Sequence, residues 1–287
     1  METRRDDPAL EAGLYLVSTP LGNARDITLR TLDLLAMADV LAAEDTRSLR
    51  RLMEIHGVPL EGRKITAYHD HNGEARRPGL VAAVVEGKAV VYASEAGTPA
   101  IADPGFALAR DVIAAGGAVF SAPGPTAAIA ALTSSGLPSD RFLFAGFPPT
   151  SAGARRSFLE ELSPVRATLV LYESPKRLGK LLDECARVLG EDRRAVVCRE
   201  LTKRYEEITR GSLGELVDIF SDRTVKGEIV VCIEKGTPQV DAEGLEEALR
   251  HAMETLSLKD AAREVAEEFG VSRRGLYQMG LALGKNS

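Results

Sequence analysis

The feature that most constrains this chain is a repeating texture, in which short apolar runs alternate with helix-period segments and end in Gly- and Pro-rich loops. GLYLV at 13–17 opens into STPLGNARD, and Ile27 to Met37 then carries apolar residues at helical spacing. The unit recurs. VLAA at 40–43 runs into EDTRSLRRLMEIHG, KITAYHDHN reads as a strand and its mouth, and RPGLVAAVVEGK reads as a helix. AVVYASEAG is a strand, FALARDVIAAGG a helix, and a last short strand ends at Ser121. Strands and helices alternating in this way predict an α/β unit with a mostly parallel sheet, which puts ligand chemistry at the carboxyl ends of the strands.

After APGPTAAIAALTSSGLP (122–138) the pattern changes to strand-rich pieces: FLFAGF, ATLVLYES, RAVVCRELT, YEEITRGSL and KGEIVVCIE, with a helix at RLGKLLDECARVLG. They predict a second α/β unit with a more antiparallel sheet, hinged at Ala122 to Pro125. A length of 287 residues fits two domains and an appendage, expected at 13–122, 123–236 and 242–287. The last segment is helical and polar. Its ending, LKDAAREVAEEFGVSRRGLYQMGLAL, places a Gly turn between two amphipathic helices.

Several functions lose their support on composition and motif. No apolar run approaches a membrane span, and METRRDDPALEAG is followed by no apolar stretch of a secretory signal, so a cytoplasmic protein is expected. Cys185, Cys198 and Cys232 are odd in number and widely spaced, which predicts reduced structural thiols. A G-x-G-x-x-G after the first strand, a P-loop and a G-x-S-x-G elbow are all missing. His69 and His71 point the same way if they lie in a strand, but no further ligand sits at metal spacing, so no metal is expected. Net charge is −6, which argues against a wholly basic coat. Basic pairs nonetheless recur beside the Gly- and Pro-rich loops, for example Arg50–Arg51 and Lys203–Arg204.

Three small-residue loops stand at strand ends: TPLGN (19–23), SEAGTPAIADPG (94–105) and APGPTAA (122–128). Gly and Pro let backbone approach a ligand closely and in fixed geometry, so amides and carbonyls would hold it. Such a cradle suits a ligand with adenine-like polar edges and a zwitterionic tail.

In order along the chain, STPLGNARDITLRTLDLL, AAEDTRSLRRLM, YHDHN, SEAGTPAIADPG, PGPTAAIAALTSSGLPSDRFLFAGFPP, YESPKR, RELTKRYEEITRG and KGEIVV resemble the bacterial ribosomal RNA small subunit methyltransferase I family. The likeness runs from about Gly13 to the end. It implies a two-domain tetrapyrrole methylase-like α/β fold with a small C-terminal helical appendage. It also implies a homodimer that binds S-adenosylmethionine between the domains and methylates the ribose 2′-hydroxyl of a cytidine in the decoding region of 16S rRNA. Carried over by position, Leu21, Gly97, Thr98, Ile101, Thr126, Ala127, Tyr172, Leu201 and Gly227 are the expected cofactor contacts. Thr98 stands where the fold's small-molecule enzymes have Asp, so a carboxylate contact is expected to be missing there. Glu95 departs from the family's usual Asp, and no firm role is carried over to it.

A ribose hydroxyl is a poor nucleophile, so a base near the acceptor is expected. The candidates at strand mouths are Glu44, Asp45, His69 and Glu200. Adjacent strand residues face opposite ways, so only one of Glu44 and Asp45 is expected to face the cleft. Asp45 is preferred because Glu44 is expected to pair with an arginine. Arg30, Arg47, Arg199 and Lys203 are the expected RNA contacts, on a 30S particle or its rRNA. The rivals are a small-molecule methylase of the same fold and a non-enzymatic ribosome-assembly protein. Charges in EDTR, HDHN and RELTK weigh against the first, and the cradle weighs against the second.

Overall fold

The computed structural model describes residues 10–236 and 242–283; the start of METRRDDPALEAG and the last four residues of the 242–287 segment lie outside them. The first sheet contains β1 (Gly13–Val17), β2 (Val40–Ala43), β3 (Ile65–Ala67), β4 (Ala89–Ala93) and β5 (Val119–Ala122), in the order β3-β2-β4-β1-β5. All four pairings are parallel. β4 is buried along its whole length, as its unbroken AVVYA run requires of a strand covered on both faces. Helices α1 (Leu29–Met37), α2 (Thr46–Ile55), α3 (Gly73–Val85) and α4 (Gly105–Ala114) provide that cover. Leu35, Leu49 and Met53 pack on one face, and Leu80, Leu108 and Val112 on the other.

The link at 123–126 leads into α5 (Ala127–Ser135), which belongs to the second sheet. That sheet contains β6 (Phe142–Gly146), β7 (Thr168–Glu173), β8 (Arg194–Arg199), β9 (Glu207–Ser212) and β10 (Ile229–Ile233), in the order β6-β7-β10-β8-β9. Only β6 and β7 run parallel; the other pairings are antiparallel. Helices α6 (Ala152–Leu162), α7 (Leu178–Leu189) and α8 (Leu213–Phe220) cover one face, and α5 covers the other. Cys185, Cys198 and Cys232 are free and buried in these two cores. Helices α9 (Ala242–Met253), α10 (Leu258–Phe269) and α11 (Arg273–Leu283) pack around Leu249, Ala262, Val265 and Leu276 as a separate cluster.

Local chemistry moves several boundaries from where periodicity put them. The helix read from Arg77 starts at Gly73, with Pro78 inside it. Asn72 precedes it and closes the turn between β3 and α3: its side chain accepts the His69 amide at 2.9 Å and donates to the Ala67 carbonyl at 3.1 Å. β3 therefore ends at Ala67, and His69 and His71 sit in a turn rather than in a strand. The loop expected to run to 128 is shortened by α5, which begins at Ala127. No described helix is long and apolar enough to cross a membrane.

Candidate functional site

The loops that follow β1, β4 and β5 are adjacent because their strands are neighbours in the sheet, and buried hydroxyls lace them together. Thr19 and Gly97 exchange backbone hydrogen bonds at 2.9 and 3.0 Å, and the Ser94 hydroxyl donates to the Gly97 carbonyl at 3.0 Å. Thr98 donates to the Pro125 carbonyl at 2.9 Å and lies 3.1 Å from the Ser18 hydroxyl. Gly97 has φ of +82°, and a Cβ there would press on Leu21 at 3.3 Å and approach the Pro125 carbonyl at 3.7 Å. The walls here are thus mostly backbone. The later part of the 94–105 loop is strained, with Ala100 and Ala102 at φ of +69° and +59°. Asp103 holds it by accepting the Ala100 and Gly105 amides, both at 2.7 Å. Burial, reinforced by the nearby Glu44 charge, pushes the Asp103 carboxyl above its ordinary range despite those amides.

A cavity of about 1070 Å³ opens over these loops. It draws on both sheets. Eight of the nine expected cofactor positions line it: Leu21, Gly97, Thr98, Ile101, Thr126, Ala127, Tyr172 and Gly227. Tyr172 fixes the junction, since its phenol accepts the Ala128 amide at 3.0 Å and its ring meets Phe144 and Phe147 edge-on. Leu201 is the exception: it is buried under α5 in the second core and does not reach the cavity. Phe147, Glu173 and Glu228 also line it, none of them singled out from sequence. All three nevertheless lie within motifs that mark the family likeness: Phe147 in FLFAGFPP, Glu173 in YESPKR and Glu228 in KGEIVV.

The acidic residues do not divide as strand alternation predicts. Both Glu44 and Asp45 line the cavity, because β2 ends at Ala43 and the chain bends at 44–45 on its way into α2. Asp45 caps α2, accepting the Arg47 and Ser48 amides at 2.7 and 3.2 Å, and its other oxygen meets the Arg47 guanidinium at 3.1 Å. The arginine pairing expected of Glu44 therefore falls on Asp45. That guanidinium, with the Arg47 amide, holds the Asp45 carboxyl at about 2. One Glu44 oxygen accepts the Glu95 amide at 3.0 Å, and its other oxygen has no hydrogen bond among the described residues. Glu95 lines the cavity as well; burial, then the Glu44 and Asp45 charges, raise its carboxyl. His69 is off the cavity, with its buried Nδ1 lacking a hydrogen-bond partner among the described residues.

Asp45→Ala is expected to cost about 1 kcal/mol of stability at pH 7, the ordinary worth of a helix cap. With the folded carboxyl at about 2, the difference should be complete above about pH 4 and fade as pH falls toward 2. Denaturant unfolding of parent and variant at pH 7 and pH 2 checks this; an undiminished gap at pH 2 would refute the carboxylate cap.

The four expected RNA contacts separate. Arg47 and Lys203 line the cavity, whereas Arg30 is exposed on α1 and Arg199 points into a network. Arg199 bonds Glu207 at 3.0 Å and the Lys226 carbonyl at 3.2 Å, and Arg223 grips the same Glu207, whose carboxyl falls to about 2. Lys203 bridges Glu200 and Glu228 at 2.9 and 3.1 Å. Burial works against the Lys203 charge, but these two carboxylates raise its ammonium above the ordinary range. Glu200 is thereby an ion-pair partner beside the cavity. Among the described residues no three His, Cys, Asp or Glu side chains are grouped to hold a metal ion.

Comparisons with known proteins support this fold. Residues 13–217 match the family described as Tetrapyrrole (Corrin/Porphyrin) Methylases, and residues 238–284 match the RsmI C-terminal HTH domain. Among solved structures, uroporphyrin-III-C-methyltransferase from Thermus thermophilus superposes with a TM-score of 0.56 at 21% identity, covering 78% of this chain and 94% of that one. Diphthine synthase superposes with a TM-score of 0.56 at 15% identity, covering 77% and 89%. Ribosomal RNA small subunit methyltransferase I of Mesorhizobium japonicum is 45% identical over 96% of this chain and 93% of its own length. The protein of the same name from Halalkalibacterium halodurans is 40% identical over 96% of each. On that near-complete coverage, the chain belongs to the ribosomal RNA small subunit methyltransferase I family and carries the tetrapyrrole methylase fold.

Proposed function

We propose that this chain methylates the ribose 2′-hydroxyl of a cytidine in the decoding region of 16S rRNA, using S-adenosylmethionine. The supporting observation is the cavity, which joins a backbone-walled cradle to carboxylates and cationic side chains. The crowded glycine at 97 fits a ligand held by main chain, and the exposed ring of Phe147 offers an apolar face for a purine. Bound there, the cofactor supplies an electrophilic methyl on a positively charged sulfonium. Glu44, Glu95 and Glu228 give the cavity a negative field that favours such a cation. Glu44 is the best placed of the four candidates to take the hydroxyl proton or orient the ribose, since Asp45 is occupied by Arg47, Glu200 by Lys203, and His69 lies elsewhere. Alignment by the loops accounts for much of the rate.

The two sheets are proposed to act as domains, 13–122 and 123–236, closing on the cofactor, with 242–287 as an appendage. The proposed substrate is the 30S particle in the cytoplasm and the proposed active form a homodimer, whose two-fold pairing would join basic clusters from both chains. Mass-spectrometric mapping of rRNA after incubation with small subunits and labelled S-adenosylmethionine tests the reading. Transfer to a porphyrinogen instead, or to no substrate, would overturn it. A fully active monomer by light scattering would remove the dimer.

Sequence alone predicts that Gly97→Val blocks the cofactor in an intact fold; the left-handed φ of +82° at this buried turn changes that expectation. The variant should bind S-adenosylmethionine at least tenfold more weakly, and also lose about 1–3 kcal/mol of stability to backbone strain. Calorimetry and thermal melting check both. Unchanged affinity in the folded variant would contradict the assigned cradle.

A further inference from the structure

The cavity has a wall that the cofactor positions leave unused. At about 1070 Å³ it exceeds the roughly 300–1,000 Å³ of a site for one small ligand. Its second wall is α2, which presents Ser48, Arg51, Leu52 and Ile55 to it. These positions are i, i+3, i+4 and i+7, a single helix stripe. The stripe is rigidly mounted: Asp45 caps the helix, Leu49 and Met53 are buried in the first core, and the His56 ring bonds the Ala24 carbonyl at 2.8 Å.

The chemistry of the stripe is mixed. Ile55 is 51% exposed, a large apolar side chain facing the cavity. Arg51 is 73% exposed, and its one ion pair among the described residues is a 3.7 Å contact with the exposed Glu54. Such a contact is worth little, so the guanidinium is free to engage an anion. Arg47, by contrast, is held on Asp45. Six residues of helix place Arg51 about 9 Å beyond the carboxylates around Asp45, far enough for an anion to settle without direct repulsion. An anion followed by a flat apolar body is the repeating chemistry of single-stranded nucleic acid.

We propose that this face of α2 is the track for the RNA strand carrying the acceptor ribose. The sugar lies at the Ser48 end beside Glu44, an adjoining phosphate meets Arg51, and a nucleobase packs on Leu52 and Ile55. This rests on the rRNA methylation reading and adds to it the residues that recognise the strand.

The test uses the full chain with Arg51→Gln and Ile55→Ser, both at exposed side chains, and Lys88→Gln as a charge control at the opposite end of the sheet. Small subunits from cells lacking this methylation are the substrate. Arg51→Gln should lower kcat/KM about five- to tenfold and reduce the log–log salt slope by about 0.7 to 0.9, the share of one phosphate contact. Ile55→Ser should lower kcat/KM about fivefold, the effect of losing a partly buried apolar contact, with no change in slope. Lys88→Gln should match the parent, and all three should bind S-adenosylmethionine normally by calorimetry. If both α2 variants keep parental kcat/KM and slope while the parent methylates, the track is refuted and the rRNA reading stands. Weakened cofactor binding by Arg51→Gln would refute it too, assigning the wall to the cofactor. A parent that modifies no small subunit would overturn the underlying reading, and the track with it.

Discussion

Glu44→Gln is expected to slow single-turnover methyl transfer about a hundredfold, the lower range for loss of a general base, while leaving S-adenosylmethionine affinity unchanged. The amide is isosteric and can still accept the Glu95 backbone N–H that Glu44 accepts at 3.0 Å. The loop after β4 should therefore stay in place, and only the proton-accepting oxygen is lost. Asp45→Asn and His69→Asn are the informative contrasts. Asp45 is committed to the α2 cap and to Arg47, and Asn caps a helix about as well as Asp, so Asp45→Asn should change turnover little. His69 lies off the cavity and should be nearly silent in the chemical step. Turnover rates at several pH values decide. Near-parental rates for Glu44→Gln would mean that alignment alone carries catalysis, and a deficit confined to His69→Asn would move the base there.

Arg177→Ala should have the largest effect on stability, a loss of about 3–5 kcal/mol, as for other buried ion pairs stripped of one partner. Glu173 ends β7 with a side chain only 1% exposed, and its Oε1 receives the Arg177 Nε at 2.6 Å and the Ser174 amide at 2.6 Å. Its Oε2 is buried with no hydrogen-bond partner among the described residues. Without Arg177 the carboxylate keeps one amide and no counter-charge. Glu173 also lines the cavity, so the variant should weaken cofactor binding. Urea unfolding gives the measurement. Glu173→Met combined with Arg177→Ala should recover most of the loss, because apolar packing replaces a buried pair at little cost. A single variant within 1 kcal/mol of the parent would show that the pair does not hold this strand end.

Much of the fold was legible because each local signal agreed with the global arrangement. The all-buried runs AVVYA and IVVCI became β4 and β10, both central in their sheets. The three loops drawn from Gly and Pro content sit together at the cavity, since parallel strands bring their carboxyl ends to one edge. Three helices were not read from sequence, α5, α6 and α8. α8 is only eight residues long and starts from a Ser212–Glu215 capping box directly after a strand, so its period is too brief to stand out.

The sequence by itself determined the α/β alternation, the small-residue loops at strand ends and, through its ordered motifs, the family. These are properties of nearest neighbours and period, which a linear chain displays. Only the tertiary structure decided what each polar group is bonded to. Asp45 turned from favoured base to helix cap, Glu44 exchanged an expected arginine for the Glu95 amide, and Arg199 and Lys203 proved tied to carboxylates. Leu201 was carried over as a cofactor contact yet packed into the core, and Arg51 reached the cavity though no contact was carried over to it. The physical reason is that charge and hydrogen bonding act over a few ångströms of space, and here the partners come from strands and loops up to 50 or more residues apart, as Glu44 and Glu95 are.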